Sequence, residues 1–112
     1  KLMDDIGKII GLPIKIFSNR QIYIPMEYLR FYGISQGHDK LRIFKSNHCL
    51  IYCPCTDNTL NNNNSDIVSI RVGLTPIPLD FMYKNGLSLG DTVYLLGTTK
   101  GLLVYTKNNT DK

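Results

Sequence analysis

Apolar and polar positions along this chain alternate, shift to a helical spacing, then alternate again, and the whole order occurs twice. Over residues 12–17, Ile14 and Ile16 share one face while Lys15 and Phe17 take the other, the two-residue period of a strand. Ser18-Asn19 supplies turn chemistry, and residues 21–24 form a second strand with Ile22 and Ile24 on one side. Pro25 stops strand pairing and suits the first turn of a helix, where its missing N–H costs nothing. Over residues 26–32, Tyr28, Leu29 and Tyr32 make one apolar stripe, and Gly33 is free to end the helix at positive φ. Gly37 and Asp39 mark a turn into a strand at 41–44, with Leu41 and Ile43 facing one way and Arg42 the other. Ser46-Asn47 then turns the chain into residues 48–53, a run apolar on both faces that predicts a central, doubly covered strand.

Residues 66–107 repeat this order. Val68, Ile70 and Val72 alternate with Ser69 and Arg71; residues 75–77 predict a short strand, kept to an edge or kinked by Pro76. A helix over 78–85 with Phe81 and Met82 inward, a stop at Gly86, and strands at 92–96 and 102–106 complete the copy. The repetition is also literal: Ile24-Pro25-x7-Gly33-Ile34-Ser35-x-Gly37 recurs as Ile77-Pro78-x7-Gly86-Leu87-Ser88-x-Gly90. Between the copies, residues 56–65 are almost without apolar content and hold four consecutive asparagines, which predicts a surface linker. Residues 108–112 are expected to fray. Four short strands and one small helix cannot cover their own apolar faces or edges, whereas two interleaved copies can. The expected architecture is therefore mainly β: one small pseudo-two-fold β-barrel domain with two short helices, built from repeat one (8–55), the linker and repeat two (66–107).

Composition narrows the class. The 112 residues are 43% apolar, enough for one self-sufficient core, and no apolar run reaches the roughly 18–20 residues that a membrane-spanning helix needs. No signal-peptide pattern stands at the start, which is Lys1 rather than methionine, the expectation for an excised piece of a longer chain. Charge is unevenly placed. Residues 1–55 hold eight cations against four carboxylates, and residues 56–112 hold five of each, so the whole net charge of +4 lies in the first copy. That asymmetry suits an anionic partner approached by one half. Cys49, Cys53 and Cys55 are odd in number and crowded, which favours a reducing, cytoplasmic setting over a disulfide framework.

The segment Gln21-Ile22-Tyr23-Ile24-Pro25, the Gly33-Ile34 step and Gly37 resemble the swapped-hairpin (AbrB/MazE/SpoVT-like) barrels, whose pattern runs Gln-Ile-Thr-Ile-Pro, helix, Leu-Gly-Ile, then Gly-Asp and an apolar strand. The second copy matches from Ile77-Pro78 through Gly86-Leu87 to Gly90-Asp91-Thr92-Val93. The resemblance implies a transcription regulator or antitoxin-type module, monomeric or homodimeric, that lays its basic N-terminal hairpin against double-stranded DNA. Carried onto this chain, it implies that Lys8, Lys15 and Arg20, with Arg42 and Lys45, contact phosphates, and that Asn19 and Gln21 reach base edges. The chain departs from the pattern at Arg20, where the family often has glycine; at Leu29, where it often has arginine; and at His38, inserted before Asp39. The second hairpin offers no cation except Arg71. The strand order is also similar to double-psi and RIFT barrels, including the N-terminal adaptor-binding domains of AAA unfoldases, which implies a protein partner instead.

Other constellations carry less. His48, Cys49, Cys53 and Cys55 lack the paired Cys-x2-Cys knuckles of structural zinc, so buried small hydrophobes are expected and no metal or cofactor. Neither histidine has a nucleophile at a recognisable spacing, and Asp39 and Asp91 sit where a turn carboxylate accepts backbone N–H groups; an enzyme is not expected. Gly86-x3-Gly90 and Gly97-x3-Gly101 are turn glycines without the Gly-Lys-Ser/Thr of a phosphate loop. The seven tyrosines suit either a stacking surface for single strands or packing within the fold.

Overall fold

Both Ile-Pro steps end a strand and begin a helix in the computed structural model, which describes residues 11–55 and 66–106. The first copy runs β1 (Leu12–Lys15), a tight turn at Ser18–Arg20, β2 (Gln21–Tyr23), α1 (Met26–Tyr32), β3 (Lys40–Lys45) and β4 (Cys49–Cys55). The second runs β5 (Asp66–Ser69), β6 (Leu74–Pro76), α2 (Leu79–Lys84), β7 (Thr92–Thr98) and β8 (Gly101–Tyr105). Pro25 and Pro78 sit at the N-cap in extended conformation, one residue before the first helical turn, because ψ near 150° and 140° still belongs to the strand. Gly33 closes α1 at φ 68°, its N–H reaching back to the Arg30 and Leu29 carbonyls. Asp39 accepts the Ser35 N–H at 2.7 Å and Asp91 the Ser88 N–H at 2.8 Å, the same carboxylate-capped turn made twice.

The strands form a six-stranded antiparallel sheet, ordered β1-β7-β8-β4-β3-β5, and a two-stranded ribbon of β2 with β6. Neither copy pairs only with itself: β1 lies on β7, β5 on β3, β4 on β8 and β2 on β6. The registers are related by a pseudo-two-fold. The pair Leu50↔Val104 has its mate in Tyr52↔Leu102, and Gln21↔Pro76 has its mate in Tyr23↔Leu74. The single continuous barrel expected from the repeat is not present as one ladder. Among the described residues, the backbone pairing between the ribbon and the strands of the large sheet is limited to isolated bridges at Phe17↔Gln21 and Arg71↔Leu74. Three-residue strands leave little room for pairing, and Pro76 has no N–H to give.

One core lies between the sheet, the ribbon and the helices. Ile14, Ile16, Ile22 and Ile24 from the first hairpin meet Ile70, Ile77, Val93 and Leu95 from the second copy, with Leu29 and Phe81 delivered by the helices. Interior β4 holds Leu50 and Tyr52 fully buried, with Cys49, Ile51 and Cys53 half-buried on its other face. Val72 departs from the alternation expected of it. It is 81% exposed at φ 51°, because β5 ends at Ser69 and residues 72 and 73 form the hairpin turn. Lys8, the 56–65 linker and the 108–112 tail lie outside the described residues.

Candidate nucleic-acid interface

The expected DNA-binding residues separate into a group on the first hairpin and two cations on β3 that are buried or already paired. Lys15 and Asn19 are exposed, and Arg20 and Gln21 are half-buried. The hairpin is fastened at its base by Phe17 N–H to Gln21 O (2.7 Å), Ile16 N–H to Asp91 O (3.0 Å) and Gly90 N–H to Ile16 O (2.7 Å). Its tip is left-handed at two residues in a row, Asn19 (φ 64°) and Arg20 (φ 59°). Asparagine tolerates that region; arginine seldom enters it, at a cost of about 1–2 kcal/mol. Arg20 is held there from both sides by one residue of the second copy. Its carbonyl accepts the Ile77 N–H at 2.8 Å, and its own Nε donates to the Ile77 carbonyl at 3.0 Å.

The second hairpin shows what that position normally holds. Ile24 N–H donates to Gly73 O at 2.7 Å, the pseudo-symmetric mate of the Ile77–Arg20 bond, and Gly73 stands at φ 77°. Glycine thus stands before the ribbon strand in copy two, and arginine stands at the equivalent position in copy one. Arg71 is exposed at the tip of this second hairpin, and its backbone N–H and C=O both bond to Leu74. It is the cation that the sequence marks on the second hairpin, and the β2–β6 register sets it at the opposite end of the ribbon from Arg20, since Gly73 bonds to Ile24 and Arg20 to Ile77.

Of the two β3 cations, Arg42 does not face outward as expected, and Lys45 is exposed but already engaged. Arg42 is only 4% exposed, opposite Cys53 and Ile67, and its Nη1 and Nη2 find no hydrogen-bond partner among the described residues. A phosphate cannot reach it there, so its expected DNA contact is withdrawn. Lys45 is bound between two second-copy carboxylates, 3.0 Å from Asp66 and 3.0 Å from Asp80. Those hydrogen bonds, Asp66 first, raise the lysine above its ordinary value; the bond from Lys45 also holds Asp80 below the usual carboxylate range. With Arg20, Ile77 and Pro78 these groups line a cavity of about 430 Å³ whose charges balance.

The three cysteines are half-buried and form no disulfide with one another. Burial pushes Cys53 up despite the neighbouring Arg42, and its thiol donates to the Lys100 carbonyl at 3.0 Å. No three His, Cys, Asp or Glu side chains among the described residues gather closely enough to hold a metal ion. None of the described helices is long and apolar enough to cross a membrane. No protein-family model, curated protein or solved structure matches the chain.

Proposed function

We propose that this chain is a double-stranded-DNA-binding module of the swapped-hairpin type, a transcription regulator or antitoxin-type domain that grips phosphates with its hairpin tips. The barrel of that class is read here from the interleaved pairings and the bridges at Phe17↔Gln21 and Arg71↔Leu74, which link ribbon to sheet at both ends. The observation that carries the reading is Arg20: a cation kept in a backbone position made for glycine, tied to Ile77, with Lys15 and Asn19 exposed on the same hairpin. Residual strain of this kind points to a role for the side chain that held it. The contact set is Lys15, Asn19, Arg20 and Gln21, extended by Arg71; Lys45 and Arg42 are outside it.

The test is fluorescence anisotropy of labelled duplex at two or more salt concentrations. Binding should weaken steeply with salt, and each lost phosphate contact should flatten the log–log slope by about 0.9. Lys15→Glu with Arg20→Glu should abolish binding, while Lys45→Gln should leave the slope unchanged. Failure to bind at low salt, or indifference to the double substitution, ends the proposal. The neutral second copy supports the competing protein-binding reading; a partner captured equally well by the Lys15→Glu, Arg20→Glu protein would favour it.

A further inference from the structure

The pseudo-two-fold places two cavities in equivalent positions, where each helix meets the opposite end of the sheet. One is lined by Lys45, Ser46, Asn47, Asp80, Phe81 and Lys84, with a volume of about 140 Å³. The other is lined by Glu27, Tyr28, Phe31, Tyr32 and Gly97, with about 280 Å³. The repeat aligns Glu27 with Asp80, Tyr28 with Phe81 and Phe31 with Lys84; the β1–β7 and β3–β5 registers align Gly97 with Lys45. In the second-copy cavity, then, the acid is answered from within, Lys45 Nζ lying 3.0 Å from Asp80. In the first, the acid remains but the lysine is replaced by glycine, and Glu27 makes no ion pair with any described residue.

Lys84 of the second-copy cavity is answered in the first by an aromatic ring, Phe31. Phe31 stands edge-on to Tyr32, ring centres 4.9 Å apart at 88°, so two walls meet at a right angle. Tyr32 is anchored by its hydroxyl, bonded to the Thr98 carbonyl and 3.0 Å from that of Gly101. Tyr28 lies one helical turn before Tyr32 and supplies a third ring. Gly97 forms the floor: a Cβ there would stand 3.3 Å from the Tyr32 hydroxyl and 3.7 Å from Tyr28 Cε2, inside the space now open. Phe31 is 77% exposed, an unusual place for a large apolar side chain. Aromatic faces attract cations through their ring quadrupole, and a carboxylate at the rim adds the opposite charge.

We infer that this cavity binds the cationic side chain of a basic peptide, a lysine (free or N-methylated) or an arginine, in the place that Lys45 takes in the second copy. The inference stands whether or not the hairpin binds DNA, since it uses α1 and β7 rather than the ribbon. It is tested on the whole chain by titrating short peptides that carry one lysine, one trimethyllysine, one arginine, or the neutral tert-butyl isostere of trimethyllysine. Amide resonances of Gly97, Phe31 and Tyr32 report binding. At least one cationic peptide should shift them, and the neutral isostere should bind about 5-fold or more weakly. Phe31→Ala and Glu27→Gln should each weaken binding several-fold, and Gly97→Lys, which installs the internal cation of the other copy, should abolish it. Phe31 is exposed, so its loss leaves the fold intact, as a thermal melt will check. No shift with any cationic peptide, equal binding of the neutral isostere, or indifference to Phe31→Ala overturns the inference.

Discussion

The two hairpins make the same inter-copy hydrogen bond with different residues, and the difference separates what the fold demands from what the first copy adds. Ile24 N–H bonds to Gly73 O, and Ile77 N–H bonds to Arg20 O, both acceptors lying at positive φ. At Gly73 the space is closed as well as left-handed: a Cβ would come within 2.5 Å of Tyr23 Cε1 and 3.3 Å of the Ile24 carbonyl. Gly73→Ala should therefore be the most damaging change in the pair, destabilising by roughly 2–4 kcal/mol from left-handed strain and steric clash together. Urea unfolding at constant m-value would measure it, and a loss below 1 kcal/mol would show the two turns to be interchangeable.

The next comparison is inside the sheet. Arg42 on β3 and Tyr94 on β7 are pseudo-symmetry mates, by the registers Leu41↔Val68 and Ile14↔Val93. Tyr94 is half-buried and stacks on Tyr105 with ring centres 5.6 Å apart, whereas Arg42 buries Nη1 and Nη2 with no hydrogen-bond partner among the described residues. An unpaired buried cation destabilises a fold, and an apolar side chain of similar length avoids that desolvation. Arg42→Met should raise stability by roughly 1–3 kcal/mol, read as a higher melting temperature with unchanged secondary structure. A drop in stability would mean that the guanidinium is neutralised.

Arg20 itself gives a smaller effect on folding and a larger one on binding. Arg20→Gly removes left-handed strain of about 1–2 kcal/mol and also the Nε bond to Ile77, itself a contribution of about 0.5–1.5 kcal/mol. The two nearly cancel, so melting should shift by no more than a few degrees. Duplex affinity should nevertheless fall, with the salt slope flatter by about one contact. If stability collapsed instead, the arginine would be structural and the strained turn would say nothing about a ligand.

Much of this was legible along the chain because it is local. Ile14 and Ile16 alternate into the core, Leu29 faces inward at helical spacing, and Asp39 and Asp91 cap their turns within four residues. What was hidden depends on the fold as a whole. Alternation put Arg42 on the outer face but could not reveal that this face is covered at that point. Lys45 reads as a free cation until β5 and α2 bring Asp66 and Asp80 to it from across the repeat. Val72 continues a strand pattern straight through a turn, and only a glycine advertises positive φ, so the strain at Arg20 left no sign. The cavity on α1 became visible only when its residues could be set beside their mates in copy two.

The ion pair between Lys45 and Asp80 yields the smallest effect, a pH dependence of stability. Lys45 lowers the carboxyl of Asp80 below its ordinary value of 3.8. A group depressed on folding contributes stability that is fully present above its unfolded value and is lost as pH falls through the folded one. The stabilisation from Asp80 should hold at pH 5 and above and disappear in the range below about 4. Because Asp80 is 63% exposed, solvent screening keeps the whole contribution under about 1 kcal/mol. Asp80→Asn should remove that acid-limb component and little else. An Asp80→Asn protein that kept the full acid sensitivity of the parent would show that the Lys45 contact contributes nothing to folding.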